Sequence, residues 1–431
     1  MNKRILSVSA AILSFFLTSN AQSDWASMMR NPKANVHDVQ KAFNQWYSNQ
    51  KPDSGDDEEN GISLYKRWEW MMNARTFPTG IRPNETAIAT DYQNYLNHNR
   101  ATHRMMHGTT ANWTYVGNTS VPNHIASDGN IGGDGRVNRM RFFPGNNNIM
   151  YACAPTGGLW KSTNGGASWA TNTDNLGDLA TSDIAINPSK TSEMFLATGD
   201  GDGINSIYPT VSTIGVLRST DGGATWSATG LSYTLASSGP SYATINVLYV
   251  NPADTSVLVA ATSFGIYYSS NSGATWSQSV SEDFMSMELE PSHPSRVYAS
   301  TYDGKFYRSA DGGKTFAQVT TGLPGSGIAG RMAVAVSAAD TNDVYVLATD
   351  PTNYAFYALY LSTNHGASFT TVASLAGGAP NILGRAAAGN DPTVGQGWYD
   401  LCIAVSPTNI DSVVVGGINI WLTGDGGSTW N

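Results

Sequence analysis

The sequence predicts an all-β chain, a β-propeller of four-stranded blades led by a short helical region. Two repeats in register and one change of texture carry that prediction. The first repeat is a box of the form Ser/Thr-x-Asp/Asn-x-Gly-x-Ser/Thr-aromatic, present six times: Ser162 to Trp169, Ser219 to Trp226, Ser269 to Trp276, Ser309 to Phe316, Ser362 to Phe369 and Thr423 to Trp430. The boxes start 57, 50, 40, 53 and 61 residues apart, the spacing of a four-stranded unit with loops of variable length. The second repeat lies upstream of each box: an apolar strand, usually a proline, a polar turn and a second apolar strand. It is seen at Met140 to Pro144, Ile184 to Pro188, Leu248 to Pro252, Met287 to Pro291 and Ile403 to Pro407. The fifth unit keeps the strand, Met332 to Ser337, with Ala338 where the proline would stand. Each unit therefore reads as strand a, turn, strand b, loop, strand c, box, strand d.

Each part of the box has a physical task. The Asp or Asn side chain accepts backbone N–H bonds inside a tight turn, glycine supplies a positive φ, and the hydroxyls close the loop on itself. The aromatic residue drops between neighbouring sheets. Asn164, Asp221, Asn271, Asp311, Asn364 and Asp425 are accordingly expected to be turn formers and not catalysts.

These boxes resemble the Asp-box (BNR) repeats of sialidases, sortilin-type receptors and tandem-propeller xyloglucanases. The stretches Ala197 to Asp202, Gly215 to Trp226 and Gly395 to Asp400 are most similar to secreted Bacteroidetes propeller proteins labelled sortilin-like or glycosyl-hydrolase-like. The resemblance covers roughly residues 112 to 431 and implies the fold; the functions it implies span hydrolases, receptors and assembly factors.

Residues 1–21 read as a secretory signal, with Lys3 and Arg4, an apolar run from Ile5 to Leu17, and Ser19 to Ala21 as a small-residue cleavage site. Export to the extracellular space, cell surface or periplasm is the expectation, with no membrane-spanning segment. Loss of Lys3 and Arg4 takes the net charge from −9 to −11. An acidic chain with scattered charges carries no electrostatic footprint for nucleic acid. Cys153 and Cys402 each sit in an apolar strand and are expected to be small buried thiols.

Residues 22–111 have helical texture, with apolar positions at three- and four-residue spacing over Val36 to Ser48, Leu64 to Ala74 and Thr86 to His98. Tyr65, Trp68, Trp70 and Met71 are expected to dock this region on the propeller, which occupies residues 112–431. Strand d of the sixth unit would lie past Asn431. Either Trp113 to Val116 supplies it from the front, or the chain is a fragment of a larger propeller; the second is the expectation. The resembling Bacteroidetes proteins are generally longer and end in a type IX secretion sorting domain.

The strand order sends the boxes to one face and the d-to-a and b-to-c loops to the other, around the channel. On the channel side Arg136, Arg331, Trp398, Tyr399 and Asp400 are the candidate ligand-binding residues, for a glycan or protein ligand. Asp134, Asp200 and Asp400 are the candidate carboxylates if the protein is a glycoside hydrolase. An Arg–Asp network lining a wet channel is the competing reading of the same residues. Calcium is the one cofactor considered, at Asp200 and Asp202, although Ile204 stands where a third ligand belongs and no glutamate closes the loop.

Resemblance to xyloglucanases implies a catalytic Asp in a Tyr-Ala-Arg-Thr-Asp-Val-Gly-Gly context. The matching stretch here is Tyr151 to Gly158, with Pro155 at the Asp position, and proline cannot transfer a proton. Resemblance to sialidases implies three arginines, for which Arg136, Arg331 and Arg385 are available, and an early Arg-x-Pro motif, which Arg82-Pro83 does not match. The expectation is a binding or assembly module, with hydrolysis as the alternative.

Overall fold

The computed structural model describes residues 21–48 except 32, residues 62–82, scattered positions between 90 and 98, and residues 136–431 except 175, 203–212, 233–242, 387 and 392. Residues 1–20 of the signal, Trp113 to Val116, Asp134, Ile204 and most of Thr86 to His98 lie outside them.

Six antiparallel sheets follow one another along the chain. Blades 1 to 5 have four strands each, beginning with strand a at Arg139–Phe143, Thr181–Ile186, Ile245–Val250, Phe284–Leu289 and Met332–Val336. Blade 6 has three strands, Cys402–Val405, Val413–Gly416 and Ile420–Thr423. Asn431 pairs with Leu422 in both directions at 2.9 Å, the position at which strand d begins in the other blades. The chain is a six-bladed β-propeller. Neighbouring blades bury strands a to c against each other, so strand b of blade 3, Leu258–Thr262, is buried at every position. Such strands read as continuous apolar runs because both faces are covered.

Five clusters hold successive blades together. Tyr151 and Leu196 lie between blades 1 and 2, Phe195 and Leu248 between 2 and 3, and Val259 and Phe284 between 3 and 4. Tyr298 and Val346 join 4 to 5, and Leu359 and Trp421 join 5 to 6. The box aromatics Trp226, Trp276, Phe316, Phe369 and Trp430 each pack into the cluster that joins their own blade to the preceding one.

Within the box of blade 2, the buried Ser219 Oγ accepts from Gly223 N at 2.8 Å and donates to Asp221 Oδ1 at 2.8 Å. Asp221 Oδ1 also accepts from Thr225 N at 2.9 Å, and its Oδ2 accepts from the Thr225 hydroxyl at 2.6 Å. In the Asn boxes the last bond reverses: Asn164 Nδ2 donates to Ser168 Oγ at 2.8 Å, so amide and carboxylate close the same turn. The fourth box position takes a positive φ even where it is not glycine, at Ser272 (53°) and His365 (57°). Hydrogen bonds from Thr225 and Ser219 hold the Asp221 carboxyl at about 2. A lowered pKa contributes stability that is present above the unfolded value and lost as pH falls toward about 2. Because Asp221 is exposed while Ser219 is not, Ser219→Ala is the more damaging change. It should cost about 1–3 kcal/mol by orphaning the Gly223 N–H, measured by denaturant unfolding.

Helices α1 (Ala21–Arg30), α2 (Val36–Ser48) and α3 (Ile62–Thr76) form a core of their own. Phe43 stacks on Tyr65 with centroids 3.5 Å apart, and Trp25 meets Phe43 edge-on at 5.1 Å. Tyr65 and Trp68 are therefore buried inside the helical unit, whereas Trp70 is exposed. This corrects the expectation that these aromatics form a propeller-docking face: packing between the three helices already uses Tyr65 and Trp68. The cysteine expectation divides. Cys153 is buried, and burial raises its thiol pKa, but Cys402 is exposed, because its face of blade 6 is bare. Among the described residues no helix is long and apolar enough to cross a membrane.

Candidate functional site

The starts of strands a and the b-to-c loop of blade 2 bring charged groups from four blades to one end of the channel. Arg136, three residues before blade 1, forms an ion pair with Asp200 and lies 4.9 Å over the ring of Tyr399 from blade 6. Arg331, at the start of blade 5, donates to Asp202 at 2.6 Å, to the Trp398 carbonyl at 3.0 Å and to the Tyr399 carbonyl at 3.3 Å. Trp398 and Tyr399 lie 5.2 Å apart in a tilted pair. The boxes sit at the other ends of the strands, between c and d.

Local sequence makes this convergence possible. Gly201 separates the two carboxylates, and a Cβ there would lie 2.0 Å from Asn246 Oδ1, so any larger residue would have to displace the Asn246 side chain of blade 3. A Cβ on Gly397 would lie 2.4 Å from Thr349 Cγ2. The turn after it is closed by Tyr399 N donating to Gln396 O at 2.8 Å, which aims Tyr399 and Asp400 inward.

Carboxylates outnumber guanidiniums here, and burial raises the pKa values of Asp200, Asp283 and Asp400. Asp400 is pushed up to about 6 by burial, with Arg331 opposing and Asp202 adding to the rise. Asp283, at the start of blade 4, is pushed up to about 7 by burial, again opposed by Arg331. Burial also raises Asp200, against the pull of Arg136. Asp200 Oδ1, Asp283 Oδ1 and Asp400 Oδ1 are buried with no protein donor. Below the mouth is a cavity of about 110 Å³, lined by strands a of all six blades. Asn138, Ser182 and Asn246 turn unpartnered oxygens into this lining.

A second charged layer lies on the same inner strands. Asp183 accepts from Arg141 Nε at 2.9 Å and Nη2 at 2.7 Å, and from Leu248 N at 3.0 Å. The Arg141 guanidinium lies 4.7 Å over Tyr249, whose hydroxyl donates to Glu288 at 2.7 Å. These groups tie blades 1 to 4 together across the channel.

Of the sequence candidates, Arg136, Asp200, Asp202, Arg331, Trp398, Tyr399 and Asp400 are brought together. Arg385 is exposed, its carbonyl accepting from Asn419 at 3.4 Å, and makes no ion pair with a mouth carboxylate among the described residues. Asp200 and Asp202 are each engaged by a guanidinium, and among the described residues no group of three or more His, Cys, Asp or Glu side chains could hold a metal ion. Pro155 is buried in the turn between strands b and c of blade 1. Asp283 and the Arg141–Asp183–Glu288 layer escaped the sequence reading. For the layer a signal was present: Asp183 and Glu288 are single charges within their first strands.

Fold and repeats together define an Asp-box β-propeller. The family model described as "Sortilin, neurotensin receptor 3" matches residues 264–379. A curated xyloglucanase of Hypocrea jecorina (strain QM6a) is 30% identical over 155 residues, 34% of this chain and 18% of that protein. Among solved structures, the GH74 xyloglucanase from Xanthomonas campestris aligns with a TM-score of 0.50 at 19% identity, covering 69% of this chain and 45% of that one. A GH74 enzyme from Niastella koreensis aligns with a TM-score of 0.48 at 17% identity, covering 69% and 45%. The chain thus spans under a fifth of the curated relative and under half of each of these two structures.

Proposed function

We propose that this chain is an exported glycan-binding propeller that takes a polysaccharide chain across the channel mouth at Arg136, Arg331, Trp398, Tyr399 and Asp400. One observation carries the reading: donors, acceptors and an aromatic pair from different blades meet at a single opening, while the six boxes occupy the other end. A sugar presents hydroxyls that both give and accept hydrogen bonds, together with C–H faces that pack on aromatic rings, and this lining matches both. No metal is required, since the Asp200 and Asp202 carboxylates already face guanidiniums.

The test is affinity electrophoresis and calorimetry with xyloglucan and other β-glucans. Retardation is expected, reduced about tenfold or more by Tyr399→Ala, roughly the 1–3 kcal/mol that a stacking or hydrogen-bonding side chain contributes. Ser168→Ala, at a box, should leave it unchanged. Absence of binding to every polysaccharide, or equal binding by Tyr399→Ala, defeats the proposal.

A second reading, hydrolysis, is favoured by the carboxyl pair at the same mouth. Burial raises both carboxyls, Asp400 to about 6 and Asp283 to about 7, toward the range in which a carboxyl can serve as a proton donor. Release of reducing ends from xyloglucan, abolished separately by Asp283→Asn and Asp400→Asn, would establish it. Binding without release would leave the first reading in place.

A further inference from the structure

Four carboxyl groups and two guanidiniums meet at the channel mouth, and both guanidiniums are already engaged. Arg136 pairs with Asp200, and Arg331 with Asp202. Among the described residues Asp283 and Asp400 take part in no ion pair. Asp303, which adds to the rise at Asp283, is itself held by Lys305 at 2.9 Å. In the layer below, Arg139 and Arg141 both face Asp183, at 3.9 and 2.7 Å, and Glu288 balances the second of them. The lower layer is therefore neutral, and the mouth above it has two carboxyls in excess.

The buried polar atoms tell the same way. Asp200, Asp283 and Asp400 each bury Oδ1 without a protein donor. In the lining of the cavity beneath, Asn138 and Asn246 leave amide oxygens unpartnered and Ser182 a hydroxyl, with Ser182 only 4% exposed and Asn246 9%. Hydroxyls aside, the buried donors left over at this end of the channel are Arg136 Nη1 and Arg139 Nε. The surplus is of acceptors and of negative charge. Asp202 lines the cavity itself, Asp200 and Asp400 adjoin the lining residues Gly201 and Leu401, and Asp283 stands two residues before Met285. At about 110 Å³ the cavity has room for roughly three or four waters at about 30 Å³ each, so a substituent can enter it and a whole sugar ring cannot.

We infer that this cavity and its carboxyl rim are a subsite for the protonated amine of an amino sugar, so that the glycan taken at the mouth carries free hexosamine residues. The subsite rests on the reading of the mouth as a glycan site, and adds the substituent that the site selects. An ammonium offers three N–H donors and no acceptor, the complement of a lining short of donors. It also brings the cation that Asp283 and Asp400 lack. Burial raises both carboxyls against the pull of Arg331, and a bound cation favours their ionised forms, so its arrival should expel protons. An acetylated amine is neutral and larger, and a hydroxyl in its place brings no charge.

The experiment is calorimetry of the full chain at pH 6 with three β-linked tetrasaccharides, of glucosamine, of N-acetylglucosamine and of glucose. The glucosamine tetramer should bind about tenfold or more tighter than the other two, as charge-assisted hydrogen bonds replace unmade ones. Repeated in buffers of different ionisation heat, its binding should release protons, and binding of the glucose tetramer should not. Asp283→Asn keeps the shape of the side chain and should remove most of the preference and of the proton release, with circular dichroism checking the fold. Equal binding of all three tetramers without proton release overturns the amine subsite and leaves the glycan reading standing. Failure of all three, and of xyloglucan, removes the glycan reading and the subsite with it. A preference unchanged in Asp283→Asn puts the amine elsewhere and overturns the assignment. So does a lysine-rich peptide that binds as tightly as the glucosamine tetramer, which would give the cavity to a protein ligand.

Discussion

Replacing Asp183 with alanine should cost about 3–5 kcal/mol, the range for stranding a buried charge by deleting its partner. Asp183 is fully buried and accepts four hydrogen bonds: two from Arg141, one from Leu248 N and one from Ile184 N at 2.8 Å. Its loss leaves the Arg141 guanidinium facing Tyr249 with only Glu288 to balance it, in a layer where neither group reaches bulk water readily. It also orphans the Leu248 N–H, so the damage crosses from blade 2 into blades 1 and 3. Asp183→Asn keeps one acceptor oxygen and should cost clearly less. Equilibrium denaturation of the three proteins measures both effects. A loss below about 1 kcal/mol for alanine would mean that water penetrates this layer and substitutes for the carboxylate.

Removal of Arg331 should produce a penalty that depends on pH in a defined direction. Arg331 is buried, pairs with Asp202, and lowers the pKa values of Asp283 and Asp400 against the effect of their own burial. Both carboxyls have folded values, about 7 and about 6, above the ordinary value of 3.8. A raised carboxyl pKa means that the folded state binds more protons than the unfolded one, so stability falls as pH rises from the unfolded value through the folded one. Arg331→Met raises both values further. The penalty should therefore reach about 3 kcal/mol near pH 8 and shrink toward pH 5, where the folded state keeps its carboxyls protonated. Asp283→Asn in the Arg331→Met background should recover part of the loss near pH 8 and little near pH 5. Thermal unfolding at the two pH values reads the difference. An effect of equal size at both would show that Arg331 acts through Asp202 and the Trp398 and Tyr399 carbonyls and not through Asp283 and Asp400.

The blades were legible because each repeat carries its instructions within a few residues. Ser219, Asp221, Gly223 and Thr225 close their turn with bonds reaching only two to four residues along the chain. Apolar runs on either side of the preceding turn then pair as strands a and b, covered on both faces. The same locality explains why the ends carrying Arg136, Arg331 and Tyr399 were assigned to one face before any coordinates: strand order alone fixes which end each residue occupies.

Partnerships across the ring were not legible. Arg331 and Asp202 are 129 residues apart, and Arg141 and Asp183 are 42 apart; nothing in either local sequence names the partner. Asp283 was not singled out from the sequence, and burial, opposed by Arg331 and added to by Asp303, moves its pKa to about 7. Cys402 lies in an apolar run and read as buried, but it is exposed, as are Ile420 and Val414 on the same face of blade 6. By itself, then, the sequence determined the repeating unit, its turns and the polarity of its two ends, because those depend on short-range hydrogen bonds and on apolar runs bounded by turns. Tertiary structure alone decided which charges pair, which carboxyls hold protons and which faces stay bare, because burial and Coulomb energies depend on distances in space that sequence separation does not encode.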